Sequence, residues 1–402
     1  MVAGFCLLLA VLQLGLAARV VLRLFRSANR PKVSQTARHT PAGPDSVTVL
    51  VPVLNEASRL GPCLDGLIRQ GPEVAAILVI DGGSSDGTVA LANDYSRHDP
   101  RIQVIDAAPV PDDWNGKAWN LQRGFTDRGV TTPWVLTIDA DVRPRTGLVQ
   151  ALLGHAETIG VAVLSGATRQ RLSGDAEGLV HPALLTSLVY RYGIPGGSTT
   201  DRDKVQANGQ CMLIRRDALE SIGGFAVGQR SVCEDVTIAR RLAMAGHRVG
   251  FAETSDLVEV TMYGSAGEAW RNWPRSLTMR DQFSGHAVAV RLAEVALVQG
   301  LPLLVIATGL IRQRRHHYPS GFQWDGGGSS GGQSRAVEFL IGLNRVLVLL
   351  RFGVLAGMVR AYDRPPLTYW LSPLLDAPVA VRLIQSALRR THSWRGRRIT
   401  RS

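Results

Sequence analysis

The chain has 402 residues, 45% of them hydrophobic but only 6% aromatic, and carries a formal net charge of +12. That length suits one large or two ordinary domains. The positive balance favours anionic partners. With arginine clusters flanking apolar runs and no zinc-finger, homeodomain or RNA-binding signature, it points to membrane headgroups or phosphorylated substrates and away from nucleic acid. Four scattered cysteines, Cys6, Cys63, Cys211 and Cys233, form no C-x-x-C pair. A paired-cysteine zinc site is thereby excluded, and a reducing, cytoplasmic setting is expected for the polar part.

In chain order, residues 1–25 are apolar apart from Gln13, Arg19 and Arg23, and Arg26, Arg30 and Lys32 follow. A cleaved leader carries its positive charge ahead of the apolar core. The reverse order here predicts an uncleaved transmembrane anchor over residues 1–26 with its basic end in the cytoplasm. A peripheral amphipathic anchor is the alternative. Residues 27–45, with Pro31, Pro41 and Pro44, read as a polar linker.

From residue 46 to 287 the pattern predicts one α/β domain. Strands are expected at 47–53, 76–80, 101–105 and 134–138, and helices at 57–70, 88–96 and 118–126. Later strands are expected at 161–165, 211–214 and 249–252, with a helix at 234–245 closed by Gly246. Such alternation means βαβ units and a mostly parallel, Rossmann-like sheet, whose ligands bind beyond the carboxyl ends of the strands. Three polar groups fall at such ends: Asn55-Glu56, Asp81, and the pair Asp139 and Asp141 around Ala140.

The remaining residues, 288–402, are expected to form a membrane region. Runs 292–311, 337–359 and 367–388 are apolar, and the last two are long enough to span a bilayer at ~20 residues each. The first is broken by Glu294, Gly300 and Pro302. Three spans would put the arginine-rich tail opposite the α/β domain, against the positive-inside tendency. Segment 292–311 is therefore expected to be interfacial or re-entrant and the other two transmembrane, with residues 326–332 a flexible glycine-serine linker. The expected location is that of a multi-pass protein of the cytoplasmic membrane whose α/β domain faces the cytoplasm.

Chemistry concentrates at a few motifs. Two carboxylates at the end of a buried strand need a partner, and hard divalent cations such as Mg²⁺ or Mn²⁺ suit carboxylate oxygens and share their remaining positions with phosphates. Val51-Pro52-Val53-Leu54-Asn55-Glu56 ends the first strand, and Asp81-Gly82-Gly83-Ser84-Ser85-Asp86-Gly87 leads from the second into a helix. Glycines there allow close backbone approach, and Asp86 serves equally well as a simple helix N-cap.

The ordered set VPVLNE, IDGGSSDGT, DAD and the later Glu234-Asp235 resembles family 2 glycosyltransferases of the GT-A fold, across roughly residues 47–285. The resemblance implies a nucleotide-diphosphate sugar donor, a divalent metal and inversion at the anomeric carbon. It implies that Pro52, Asn55, Glu56, Asp81 and Gly83 border the nucleoside, that Asp139 lies near ribose or diphosphate, and that Asp141, with Asp139, holds the metal. Gly82 departs from the family, which often has a second Asp there. Lys117, in a G-K element, meets phosphate or is a solvated helix-start lysine. Asn208, Gly209 and Gln210 resemble the acceptor-side loop. Asp235 would be the catalytic base and Glu234 would position the acceptor, because a sugar-accepting hydroxyl must lose its proton during attack.

Processive relatives carry Q-x-x-R-W. Here Trp270-Arg271-Asn272-Trp273-Pro274-Arg275 stands instead, which argues for transfer of a single sugar. Arg271 or Arg275 would serve the diphosphate and Trp273 the acceptor, with membrane docking the competing role for these residues. Together with Trp394-Arg395-Gly396-Arg397, the pattern looks most like the carotenoid- and hopanoid-associated branch, implying a lipid hydroxyl acceptor. The alternatives are a polyprenyl-phosphate sugar synthase and a catalytically inactive membrane scaffold. His181, His247 and His286 show no ligand spacing and read as structural or surface residues.

Overall fold

The computed structural model describes residues 2–27, 32–33, 43–127, 129–277, 285–316, 330–389, 391–394 and 397–400. After helix α1 (Val2–Ser27) come β1 (Val47–Val53), α2 (Ala57–Ile68), β2 (Val74–Asp81), α3 (Thr88–His98), β3 (Ile102–Asp106), α4 (Gly116–Asp127) and β4 (Trp134–Ile138). Each of the strands and helices expected between 47 and 138 lies within two residues of its position. Next are β5 (Val142–Pro144), α5 (Leu148–Ile159), β6 (Val163–Ala167), β7 (Arg169–Gln170), α6 (Asp175–Tyr192), β8 (Gly197–Thr199), β9 (Cys211–Arg215) and α7 (Arg216–Ser221). The domain closes with α8 (Glu234–Met244), β10 (Val249–Glu253), β11 (Val258–Val260) and α9 (Ala266–Leu277).

Eight strands form one sheet in the order β3-β2-β1-β4-β9-β6-β10-β8, and only β9 and β8 run against the rest. Alternation along the strands explains why both faces are covered. Val47, Val49, Val51 and Val53 of β1 and Leu136 and Ile138 of β4 face a core built with α2, α3 and α5. Leu50 and Val135 face the opposite core, built with α4 and α8. Burial on both faces is what makes these strands read as near-continuous apolar runs. Cys63, Cys211 and Cys233 are free thiols buried in these cores, and Cys6 is buried against the C-terminal helices.

Helix α6 joins this domain to the rest. Its Tyr190 packs with Ala17 and Val20 of α1 and with the C-terminal helices, while Ala183 and Leu184 pack on Trp273 of α9. The C-terminal elements are α10 (Gly285–Glu294), a π-helical turn (Val295–Gly300), α11 (Pro302–His316), α12 (Ser330–Met358) and α13 (Asp376–Leu388). Among the described residues, two helices are long and apolar enough to cross a membrane, α1 and residues 335–361, which include most of α12. Residues 285–300 and 302–311 form a pair bent by 40°, a broken span or a re-entrant loop.

Three expectations are corrected. Residues 367–388 are not one transmembrane helix: a 3-10 helix (Leu367–Leu375) containing Pro373 gives way to α13, whose 13 residues extend ~20 Å against a ~30 Å hydrocarbon core. At the junction Asp376 is buried in an ion pair with Arg351 of α12 at 2.8 Å, which holds α13 against the bundle. The expected glycine-serine linker at 326–332 overlaps α12, which begins at Ser330, and its residues 326–329 lie outside the described residues. The domain boundary at 287/288 falls inside α10. Of the expected linker 27–45, Ser27 ends α1 and residues 28–31 and 34–42 lie outside the described residues. Val33 donates its N–H to Glu253 O, and Lys32 pairs with Glu253 at 2.6 Å, on the last residue of β10. Arg395 and Gly396 of the tail motif also lie outside the described residues.

The apolar helices are joined by polar groups. Gln13 of α1 and Asn344 of α12, both fully buried, exchange hydrogen bonds of 2.9 and 3.0 Å. Glu294 accepts from Arg23 at 2.9 Å and from Arg19 at 3.2 Å. Gln13→Leu leaves the Asn344 amide short of a partner and is expected to cost on the order of 1 kcal/mol. Thermal unfolding in detergent should show a lower midpoint for Gln13→Leu, partly recovered in Gln13→Leu/Asn344→Leu.

Candidate active site

The carboxyl ends of β1, β2 and β4 share one edge of the sheet. Because β9 is antiparallel to β4, with Ile138 opposite Cys211, the loop before β9 arrives at the same edge. Gly209 and Gln210 therefore lie beside Asp139, whose N–H donates to Gln210 O at 3.3 Å. The Gln210 side chain is buried and accepts from Thr168 and Asn208 at 2.6 and 2.9 Å, which stiffens the loop.

Lys117 is the hub. Its ammonium lies 2.7 Å from Asp139 Oδ1 and 3.0 Å from Glu234 Oε1, and donates to Gly209 O at 3.3 Å. Burial pulls this ammonium toward the neutral form, but Asp139, Glu234 and Asp235 together outweigh it and hold the group well above the usual lysine range. The start of α4 is fixed by Asn115. Its Oδ1 caps Lys117 N–H at 2.9 Å, its Nδ2 donates to Ser231 O at 2.8 Å, and its N–H donates to Gln229 O at 2.6 Å. One asparagine thus ties the first turn of α4 to the segment leading into α8, where Glu234 and Asp235 sit.

Asp235 accepts from Gly209 N–H at 2.6 Å and from Val236 N–H at 2.8 Å. Burial and the neighbouring Glu234 carboxylate nevertheless push its carboxyl up to about 7, against the pull of Lys117 and these two bonds. Asp141 is likewise pushed up to about 7 by burial and by Asp139 and Glu56. Its buried Oδ1 has no hydrogen-bond partner. Burial raises Asp139 as well, with Lys117 opposing. No cluster of three or more metal-ligating side chains occurs among the described residues. The orphaned Asp141 oxygen beside Asp139 fits a hard cation that takes its other ligands from a bound phosphate.

The expected residues divide by position. Pro52, Glu56, Lys117, Asp139, Asp141, Asn208, Gly209, Gln210, Glu234, Asp235, Trp273 and Arg275 line one cavity of about 1240 Å³. Asn55, Asp81 and Gly83 form the loop beside it. Asp81 is buried and spends its carboxylate on its own turn, accepting from Gly83 and Ser84 N–H at 3.0 and 2.9 Å. Asn55 takes a positive φ of 56° and accepts from Ser85 N–H at 2.9 Å. Asp86 precedes the N-cap residue Gly87 and accepts from Ala57 and Thr88 N–H, both at 3.1 Å, so its carboxylate ties the first residues of α2 and α3 together. Arg271 is exposed and outside the cavity wall, leaving Arg275 as the wall arginine of the pair.

Gly82 has a packing reason for its departure from the family. A Cβ there would lie 2.9 Å from Asn120 Nδ2, which bridges Val53 O and Ile80 O at 3.1 Å each. His181 is structural in an unexpected way. Buried and pushed down to about 3 by that burial, it stacks on Trp273 with ring centroids 4.1 Å apart and meets the Tyr362 hydroxyl at 3.1 Å. Arg59, Asn115, Asn120, Tyr263 and Glu268 also line the cavity and were not foreseen. Asn115 had a signal as an N-cap before Gly116, and Arg59 as a cation one turn after Glu56; Tyr263 and Glu268 had none.

Residues 48–223 match the family model of glycosyl transferase family 2. Two curated relatives are similar at low identity. One is the succinoglycan biosynthesis protein ExoA of Rhizobium meliloti, 24% identical over 53% of this chain and 62% of its own. The other is 4,4'-diaponeurosporenoate glycosyltransferase of Staphylococcus aureus, 27% identical over 54% of each chain. The match therefore spans little more than half the length of these relatives. Among solved structures, a mannosyltransferase from Pyrobaculum calidifontis, in complex with GDP-Man and Mn²⁺, superposes with a TM-score of 0.56 at 19% identity, over 96% of this chain and 99% of that one. The fold is that of GT-A glycosyltransferases, and residues 48–223 form a glycosyl transferase family 2 domain.

Gly209 is held to glycine by its neighbours: a Cβ would come within 2.8 Å of Lys117 Nζ and 3.1 Å of Asp235 Cβ. Gly209→Ala is expected to displace both groups and lower turnover on the order of a hundredfold, with the unfolding midpoint shifted by only a few degrees. Steady-state rates beside thermal unfolding check this.

Proposed function

We propose that the protein is an inverting glycosyltransferase that moves one sugar from a nucleotide-diphosphate sugar to a lipid hydroxyl at the cytoplasmic face of a membrane. The observation that carries this reading is a single cavity. It joins the carboxylates at the sheet edge to the two helices able to cross a bilayer. The relative that glycosylates diaponeurosporenoate supports an isoprenoid-type acceptor.

In this reading Glu56 and the loop of Asn55, Asp81 and Gly83 border the nucleoside, and Arg275 and Lys117 face the diphosphate. The acceptor lies against Trp273 and the Asn208–Gln210 loop. Asp235 takes the acceptor's proton as its oxygen bonds to the anomeric carbon from the face opposite the diphosphate. The bond from that carbon to the diphosphate oxygen breaks, and its electron pair leaves with the diphosphate. Asp141 and Asp139 would hold Mg²⁺ or Mn²⁺, which supplies charge for the departing diphosphate. Glu234 keeps Lys117 beside Asp139 and so orients both ends of the site.

Purified protein in nanodiscs is expected to release nucleoside diphosphate from a UDP- or GDP-sugar only with a divalent cation, and to stop on chelation. Asp141→Asn should abolish this. Asp235→Asn should cut transfer by on the order of 10²–10⁴ while donor still binds, as isothermal titration would register. A phosphate-headed acceptor is the competing reading, favoured by Arg275 and Arg360 in the cavity wall, and it needs no base. Transfer that survives in Asp235→Asn would select it.

A base must be ionised to accept a proton, and Asp235 is ionised only above about 7. For the proposed reaction kcat/KM should therefore fall about tenfold per pH unit below that value and level off above it. A profile flat from pH 5 to 8 would remove Asp235 from the role.

A further inference from the structure

The cavity is larger than the ~300–1,000 Å³ usual for a small-ligand site, and its two ends differ in chemistry. One end carries Lys117 and the carboxylates. The other is walled by Leu24 and Phe25 of α1, Leu185 and Leu188 of α6, and Leu350 and Val354 of α12. A nucleotide-sugar has no use for such a wall, because its phosphates, ribose and sugar are polar throughout. The apolar end also lies between the two helices whose length and composition suit a bilayer.

Gly353 and Gly357 of α12, one turn apart, complete this wall and are themselves exposed. A Cβ built on either would meet nothing within 4 Å. Glycine is not needed there for helix geometry, and in a helix interior it is unfavourable relative to Ala. The missing side chains leave an opening in the flank of the cavity, on a helix whose neighbouring Leu349 and Phe352 are exposed and apolar.

We infer that the apolar end is a lateral acceptor channel. The hydrocarbon chain of a lipid acceptor enters from the bilayer across the Gly353 and Gly357 face of α12. It lies between α1, α6 and α12, with its hydroxyl directed toward Asp235. This rests on the reading of the site as a lipid glycosyltransferase. The occupant is a single long apolar chain, since the walls named carry no charge and the cavity is continuous with the acidic edge of the sheet.

Leucines at the two glycines should fill the opening without touching the sheet edge. Gly342 serves as control: it lies on the same helix, also has open space around its Cβ position, and lies outside the cavity wall. The full chain in nanodiscs is assayed with a nucleotide-sugar and Mn²⁺ against a long-chain isoprenoid alcohol and a short water-soluble alcohol. For Gly353→Leu/Gly357→Leu, kcat/KM for the long alcohol should drop about tenfold or more, carried by KM. Donor hydrolysis and transfer to the short alcohol should stay at the wild-type level, and Gly342→Leu should match wild type throughout. Unchanged transfer to the long alcohol, or an equal loss with both alcohols, would overturn the channel.

A second readout is independent of turnover. A diazirine-bearing long-chain alcohol in the same nanodiscs should crosslink to residues of α6 and α12 in the wild type and lose that labelling in the double variant. Labelling without any sugar transfer would leave the channel standing and sink the glycosyltransferase reading. Transfer to the long alcohol with no such labelling would do the reverse.

Discussion

Everything at the sheet edge depends on one ammonium among mutually repelling acids. Asp139, Glu234 and Asp235 come from two distant stretches of chain, and with low-dielectric walls around them their repulsion is poorly screened. Lys117 sits within 3.0 Å of the first two. Its position is not set by the acids alone. Asn115 caps the helix that carries it and binds the backbone ahead of α8, so cation and carboxylates are placed by one hydrogen-bonded joint. Gly209 completes the arrangement because no side chain fits between Lys117 and Asp235.

The sheet supplies a rim but not a complete pocket. Its far wall comes from α6, which packs on α9 through Ala183 and Leu184 and on α1 and α12 through Tyr190. Through the same helix, His181 fixes the plane of Trp273 from behind. The bundle is joined by paired polar groups, Gln13 with Asn344, Glu294 with Arg19 and Arg23, and Arg351 with Asp376, each pair bridging two elements. Unpaired groups of this kind would be costly in an apolar setting, so each pair restricts how the helices assemble.

Much of the domain was legible because its strands are buried on both faces and its turns carry glycine and Asx residues. Val47–Val53 and Trp134–Ile138 stand at the expected residues. The acids at the strand ends were legible for the same reason: an apolar run that stops at a carboxylate marks a rim. What escaped were elements with weak periodicity. Helix α6 buries polar His181, Ser187 and Arg191 on several sides, so no amphipathic face marks it. The run 367–388 misled in the opposite sense. Its mean hydropathy resembles a span, but Pro373 and the buried Asp376 divide it.

Sequence alone determined the order of strands and helices between residues 47 and 138, the acidic character of the rim and two of the three apolar helices it called for, because each is written in local pattern and spacing. Only the tertiary structure decided that Asp81 serves its own turn, that Lys117 lies between Asp139 and Glu234, and that Gly82 makes room for Asn120. It also decided that the apolar helices wall the same cavity as the carboxylates. Most of those outcomes depend on which chain segments pack side by side, and contacts between residues tens to hundreds of positions apart leave no local signal to read.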